Sequence, residues 1–255
     1  MAKIIGVVPA RMAASRFPGK PLYPIKGIPL VEHCFLRASL YNRWTQLVLA
    51  TCDREIEQFA NDKGMPVTMT SDSHTRALDR VAEAAQLIDP HLNATDIVVC
   101  VQGDEPLLGP DMLEVVVNPI LNDQGIEGTM LAIPILNRET FLNRDIVKIV
   151  HDKNGDVLYT SRAPIPHCEV FSPELGAKRV GGIFAFQWGF LKWFTNTPEA
   201  PLEKFEQCDS NRICNNGRKQ RIALGPSRPY ISVDSPQDVS LVEEAIIDDM
   251  YYGRY

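Results

Sequence analysis

The chain reads as an α/β protein built on a twisted, mostly parallel sheet wrapped by helices. Three observations predict this. Short apolar runs alternate with stretches of helical length, the connections between them are brief, and charged loops follow the runs Ile4-Ile-Gly-Val-Val8 and Ile97-Val-Val-Cys-Val101. A strand over Ile4 to Pro9 precedes a helix over about Leu30 to Ser39, and a strand over Gln46 to Ala50 precedes a helix over about Glu55 to Lys63. Strand Val67 to Met69 leads to a helix near Leu78 to Leu87, and strand Ile97 to Val101 to one near Pro110 to Asn122. Later, Met130 to Leu136, Val147 to His151 and Val157 to Thr160 read as hairpin-forming strands, with Asn154-Gly155 as the turn. Aromatic-rich Phe184 to Phe194 and acidic Pro201 to Asn211 then suggest a strand and helices packed as an appendage. No repeat, low-complexity tract or linker interrupts the chain, so residues 1–255 are expected to form one domain.

Composition narrows the class of function. The 255 residues are 45% hydrophobic, enough for a substantial core, and the net charge of −6 disfavours nucleic acid as the main partner. No apolar run approaches membrane-spanning length and the start lacks the layout of a signal peptide, so a cytoplasmic protein is expected. The cysteines at 34, 52, 100, 168, 208 and 214 contain no C-x-x-C pair, which points to reduced packing or surface thiols rather than zinc or redox chemistry.

The loop Val8-Pro-Ala-Arg-Met-Ala-Ala-Ser-Arg-Phe-Pro-Gly-Lys-Pro-Leu22 has the chemistry of a polyphosphate site. Ala13, Ala14 and Gly19 permit close backbone approach, while Arg11, Arg16 and Lys20 supply positive charge. It is not a P-loop, because Pro21 stands where that motif places a hydroxyl residue for magnesium. A second loop, Gln102-Gly-Asp-Glu-Pro106, is acidic. If the two strands are neighbours in a parallel sheet, both loops face one crevice. One then holds phosphate and the other the metal.

Together these loops resemble the signatures of the CMP-sugar-acid synthetases, and most closely those of the 3-deoxy-manno-octulosonate (KDO) cytidylyltransferases. Further matches follow in order: Ala50-Thr-Cys-Asp53, Asp145-Ile-Val-Lys148, Leu158-Tyr-Thr-Ser-Arg-Ala-Pro-Ile-Pro166, Gly182-Ile-Phe184, Pro201-Leu-Glu203 and Val233-Asp-Ser-Pro-Gln-Asp238. The resemblance implies a Rossmann-like nucleotidyltransferase fold whose second half supplies a β-rich dimerisation and acceptor subregion. It implies transfer of CMP from CTP to a 3-deoxy sugar acid with release of pyrophosphate, in surface polysaccharide or lipopolysaccharide synthesis, by a homodimer. The aromatic density of Phe184 to Phe194 motivates placing the dimer contact there, although Trp188, Trp193 and the neighbouring phenylalanines also suit internal packing.

Residue roles follow from the same match. Lys20, Arg11 and Asp104 form the catalytic set; Asp104 or a metal-bound hydroxide is the leading candidate for any general base. The nucleotide set is Pro9, Ala10, Arg11, Ser15, Arg16, Lys20, Arg80 and Gln102. Magnesium takes oxygen ligands and usually only one or two protein carboxylates, for which Asp104 and Asp234 are the candidates. By itself Asp234, before Ser235-Pro236, equally suits a helix N-cap; the family's Val-Asp-Thr-Pro block gives it the metal role. Asp238 reads as a first-turn helix charge and Glu105 as a group supporting the metal ligands.

The acceptor set is His74, Arg76, Gln102, Arg162, Gly181, Asp209 and Ser210, and here the chain departs from the family pattern. The His-x-Ser-Gly-Thr-Asp/Glu-Arg line becomes His74-Thr-Arg-Ala-Leu-Asp-Arg80, Gly181 stands where His is usual, and Ser210 replaces Gln. These departures leave room for a different anionic acceptor, a modified sugar acid or a phosphonate. A non-catalytic nucleotide-binding protein is a third reading, disfavoured by Lys20, Asp104 and Asp234. For single residues, His74 equally suits a helix-entry hydrogen bond, Arg76 solvation, and Arg162 an internal salt bridge.

Overall fold

Every residue of β1 (Ile4–Pro9) is buried, because the strand lies within a sheet covered on both faces. Ile4 and Val8 point into one apolar layer while Ile5 and Val7 point into the other, the two-residue period of a strand. The computed structural model describes residues 2–13 and 16–255. After β1 come a small ribbon, β2 (Pro24–Ile25) with β3 (Ile28–Pro29), then α1 (Leu30–Ser39), β4 (Gln46–Thr51), α2 (Arg54–Asp62), β5 (Val67–Met69), α3 (Ala77–Ile88), β6 (Ile97–Val101) and α4 (Pro110–Asn122). These are the expected βα units, within a residue or two at each end.

The remainder comprises β7 (Gly128–Pro134), α5 (Arg138–Leu142), β8 (Lys148–His151), β9 (Val157–Ser161), β10 (Lys178–Gln187), α6 (Trp188–Asn196), α7 (Pro201–Glu206), α8 (Ser210–Asn215), β11 (Arg221–Leu224) and α9 (Pro236–Ala245). The main sheet runs β11-β7-β10-β6-β1-β4-β5, with the β8–β9 hairpin attached through β10. Only β10 opposes the strands beside it in this row; its neighbours β6 and β7 both pair with it antiparallel. One layer packs α1, α4 and α9 on the sheet; the other packs α3, α6 and α8.

Two expectations are corrected by this topology. Residues 130–136 do not form a hairpin with the strands that follow: β7 is an inner strand of the sheet, paired with β10 and β11. The turn at Asn154-Gly155 does close a hairpin, β8 with β9, using Gly155 at φ 84°. Nor is the aromatic stretch an appendage. β10 fills the middle of the sheet, and Trp188, Phe190, Leu191 and Phe194 of α6 are at most 3% exposed within this one chain. Core packing accounts for these side chains, so they carry no argument for a dimer contact. The strand was hard to read because Gly181-Gly182 interrupts its alternation, and the register with β7 shifts there.

Among the described residues no helix is long and apolar enough to cross a membrane. All six cysteines are free thiols.

Candidate active site

Parallel pairing of β1 with β6, in register from Ile4–Ile97 to Val7–Cys100, brings their carboxyl-end loops side by side. Glycine at 103 permits the approach, since a Cβ there would lie 2.8 Å from the carbonyl oxygen of Pro9. The Val233 amide then donates to the Asp104 carbonyl at 2.9 Å, which aligns the segment before α9 with the acidic loop. A third loop is thereby laid against the first two.

The basic loop is tied at its base. Met12 donates its amide to Asp53 Oδ2 at 2.8 Å, Gly19 donates to the Met12 carbonyl at 3.2 Å, and Phe17 is buried edge-on against Tyr23. Gly19, at φ 74°, turns the chain so that Lys20 points inward. Lys20 Nζ donates to Asp104 Oδ2 at 2.9 Å and to the Val233 carbonyl at 2.6 Å. Burial alone would lower the Lys20 pKa, but the Asp104 charge and hydrogen bond outweigh it and hold the ammonium above its ordinary value. Arg16 donates to Asp234 Oδ1 at 2.8 Å and to Asp145 Oδ1 at 2.7 Å.

The result is a cleft of about 290 Å³. Its lining includes the expected nucleotide residues Pro9, Ala10, Arg11, Arg16, Lys20, Arg80 and Gln102. Asp104 and Asp234 are there too, as are His74 and Arg76. Ser15 lies outside the described residues. Sequence reasoning missed Pro21, Thr75, Ala77 and Gly103, which contribute shape rather than charge, and it gave Asp53 no role. Asp53 had a signal in the Ala50-Thr-Cys-Asp53 match, but only the fold shows that it anchors the loop.

The expected acceptor residues divide. His74 bonds Glu83 through Nε2. Arg76 donates to Glu199 at 3.1 Å and lies 4.0 Å from Asp209, so Asp209 acts on the cleft wall at one remove. Burial raises the Asp209 pKa to about 6, although Arg76 opposes the shift. Three other calls are not among the residues lining the cleft. Gly181 is buried within β10, where a side chain would run into Leu131 and Ile133, and its carbonyl accepts from Tyr230. Ser210 is 3% exposed at the start of α8. Arg162 donates to the backbone carbonyls of Arg144, Asp145 and Glu206, so its guanidinium is a loop tie and makes no salt bridge among the described residues. Asp238, as expected, serves its helix: its carboxylate accepts from Ser235 N and Oγ at the start of α9.

The residues present fit a magnesium ion. Asp104 Oδ1 is buried with no hydrogen-bond partner among the described residues, although the other oxygen is paired. Asp234 is held above its ordinary carboxylate pKa first by burial and then by the Asp104 charge, which sets two carboxylates against each other in one site. Arg16 and Lys20 partly relieve that repulsion. Two carboxylates with phosphate and water oxygens make the usual environment of this hard cation. Glu105, beneath them, is 3% exposed; its Oε1 accepts from Ser232 at 2.7 Å and its pKa is raised to about 8 by burial and by Asp104.

A cytidylyltransferase family model matches residues 5–222. The chain belongs to this family. Cytidylyltransferase relatives extend over nearly its whole length. It is 37% identical over 248 residues to the 3-deoxy-manno-octulosonate cytidylyltransferase of Syntrophotalea carbinolica, covering 94% of this chain and 97% of that one. The 3-deoxy-manno-octulosonate cytidylyltransferase of Oleidesulfovibrio alaskensis is 38% identical over 239 residues, covering 93% and 94%. Among solved structures, CMP:2-keto-3-deoxy-manno-octonic acid synthetase complexed with CTP superposes with a TM-score of 0.86 at 28% identity, covering 98% of this chain and all of the other. A Leptospira borgpetersenii cytidylyltransferase shares the fold at a TM-score of 0.64 and 18% identity, covering 97% of this chain and 87% of that one.

Proposed function

We propose that this cytidylyltransferase transfers CMP from CTP to KDO with magnesium, releasing pyrophosphate, in the cytoplasmic synthesis of surface polysaccharide. The observation that carries the reading is the convergence of Arg16 and Lys20 with Asp104 and Asp234 in one cleft. The whole-length relatives named for KDO support the acceptor. In the reaction the acceptor hydroxyl oxygen bonds to the α-phosphorus as the α–β bridging P–O bond breaks, and the hydroxyl proton is released. Alignment and charge dominate such a transfer, and no covalent enzyme intermediate is required.

Arg11, Arg16 and Lys20 bind and orient the triphosphate, with Lys20 placed at the buried end of the cleft. Asp104 and Asp234 hold the magnesium, which when bound supplies positive charge to phosphate and acceptor oxygens. Arg80 is a fixed wall: it is 3% exposed and donates to Thr70 Oγ1 and the Ser71 carbonyl. Gln102 is fixed through its backbone amide, which donates to the Gly182 carbonyl at 3.1 Å, leaving its side chain to the acceptor and nucleotide.

One observation favours a second acceptor reading, a KDO-like acid with different substituents. Arg76, absent from the family pattern, stands at the cleft wall already engaged by Glu199 and Asp209. A homodimer is part of the proposal, with exposed Leu158, Val170 and Phe205 as apolar surface for it in place of the buried aromatics. Pyrophosphate release from CTP and magnesium, measured with KDO and a panel of sugar acids, tests the function. Release with KDO supports it; release only with another acid moves the acceptor assignment, and none with any acid overturns the reading.

A further inference from the structure

The Asp145-Ile-Val-Lys148 and Ser161-Arg162 blocks have no part in the proposed chemistry, yet they build one device beside the cleft. Lys148 is wholly buried, and its ammonium donates to the carbonyls of Asn143 at 2.7 Å, Ile146 at 2.6 Å and Arg162 at 2.6 Å. Arg162 Nη1 donates to the intervening carbonyls of Arg144 and Asp145, at 3.1 and 3.2 Å. Four consecutive carbonyls, 143 through 146, are thus held by two cations. The amide of Asp145 is fixed as well, donating to Asn143 Oδ1 at 2.8 Å. Burial, and then the Arg162 charge, pull the Lys148 pKa down to about 8, so this arrangement opposes the fold's preference for uncharged interiors.

What the fixed loop presents is the side chain of Asp145, 63% exposed and bonded to Arg16. An ion pair that open adds little to stability. Its effect is on Arg16, whose two terminal nitrogens are divided between Asp145 and Asp234. Asp234 is a proposed metal ligand; Asp145 is not, so it can keep hold of the guanidinium when Asp234 is otherwise engaged.

We propose that Asp145 is a positioning residue for CTP, acting through Arg16 to aim the guanidinium of the basic loop at the triphosphate. This rests on the reading of residues 8–22 as the phosphate loop. Titration calorimetry of CTP with magnesium and no acceptor tests it in wild type, Asp145→Asn, Asp145→Glu, Arg16→Gln and the double variant Asp145→Asn/Arg16→Gln. Asp145→Asn is expected to weaken CTP about two- to fivefold, the range an exposed ion pair supports, with unchanged thermal unfolding. Asp145→Glu should recover part of the loss, and Asp145→Asn should add nothing once Arg16 is Gln. CTP affinity unchanged or tighter in Asp145→Asn, or a loss that persists in full beside Arg16→Gln, overturns the inference while leaving the phosphate loop intact. Wild-type affinity in Arg16→Gln overturns the phosphate-loop reading itself, and this inference with it.

Discussion

Lys20 Nζ lies 2.9 Å from Asp104 Oδ2, so the cation proposed to bind phosphate and the carboxylate proposed to bind metal are partners in the cleft. On the proposed reading each is released to its own ligand when nucleotide binds, while the Val233 carbonyl, 2.6 Å from the same ammonium, still holds Lys20. Replacing Lys20 by Met removes the charge and keeps much of the stem. CTP should bind about 10- to 100-fold more weakly, from the roughly 1.5–3 kcal/mol of a hydrogen bond to a charged group. Calorimetry of CTP binding checks this; wild-type affinity would mean that Lys20 serves only Asp104.

Asp104→Asn and Asp234→Asn each remove a charge proposed to bind metal and preserve side-chain shape. Both variants should unfold near the wild-type temperature and turn over at least about a hundredfold more slowly, since several kcal/mol of charge stabilisation is at stake. Pyrophosphate release at limiting magnesium is the measurement. Normal rates in both would remove the two-carboxylate site.

Glu105 gives stability a pH dependence of opposite sign to that of a salt-bridged carboxylate. Its pKa is about 8 in the folded protein against an ordinary 4.5, chiefly through burial and then the Asp104 charge. Between those values the unfolded chain has lost a proton that the folded protein retains, so stability falls as pH rises through that window and levels off above it. In metal-free buffer Glu105→Gln should abolish that fall. Its unfolding temperature should gain on wild type from pH 5 to pH 8, by an amount equivalent to at most about 4 kcal/mol. A gap that does not change with pH would show that Glu105 ionises normally.

On the proposed reading Arg76 affects the acceptor more than the nucleotide, because it pairs with Glu199 and Asp209, which are not among the residues lining the cleft with Arg11, Arg16 and Lys20. Arg76→Ala should lower kcat/KM for KDO about tenfold, the effect of leaving one polar group unsatisfied, with CTP affinity unchanged. Removing the guanidinium also removes the charge that holds the Asp209 pKa down, so any dependence of the rate on Asp209 should move to higher pH than the present value of about 6. Unaltered kinetics with KDO would show the departure at position 76 to be neutral.

The sequence was most informative where function sits on loops at neighbouring strand ends. Arg16, Lys20 and Asp104 follow buried strands, and parallel pairing of β1 with β6 carries such loops to one place without detailed packing. Residues whose role depends on side-chain direction were less legible. Arg162 and Gly181 fall in motif-like stretches, but one is turned into a loop and the other is packed between strands. The place of β10 was hidden for a related reason: its partners β6 and β7 are distant in sequence, and non-local pairing leaves little local trace.

That placement of β10 has a consequence for synthesis of the chain. When a ribosome has released the residues of β1, β4, β5 and β6, the hydrogen-bonding edge of β6 has no cover, and it stays open until residues 183–187 emerge. The Gln102 amide likewise waits for the Gly182 carbonyl, so the acidic loop acquires its shape late. A nascent or truncated chain that stops after α4 therefore carries a bare apolar edge and an unset acidic turn, making it a substrate for chaperones and proteases before it can become an enzyme.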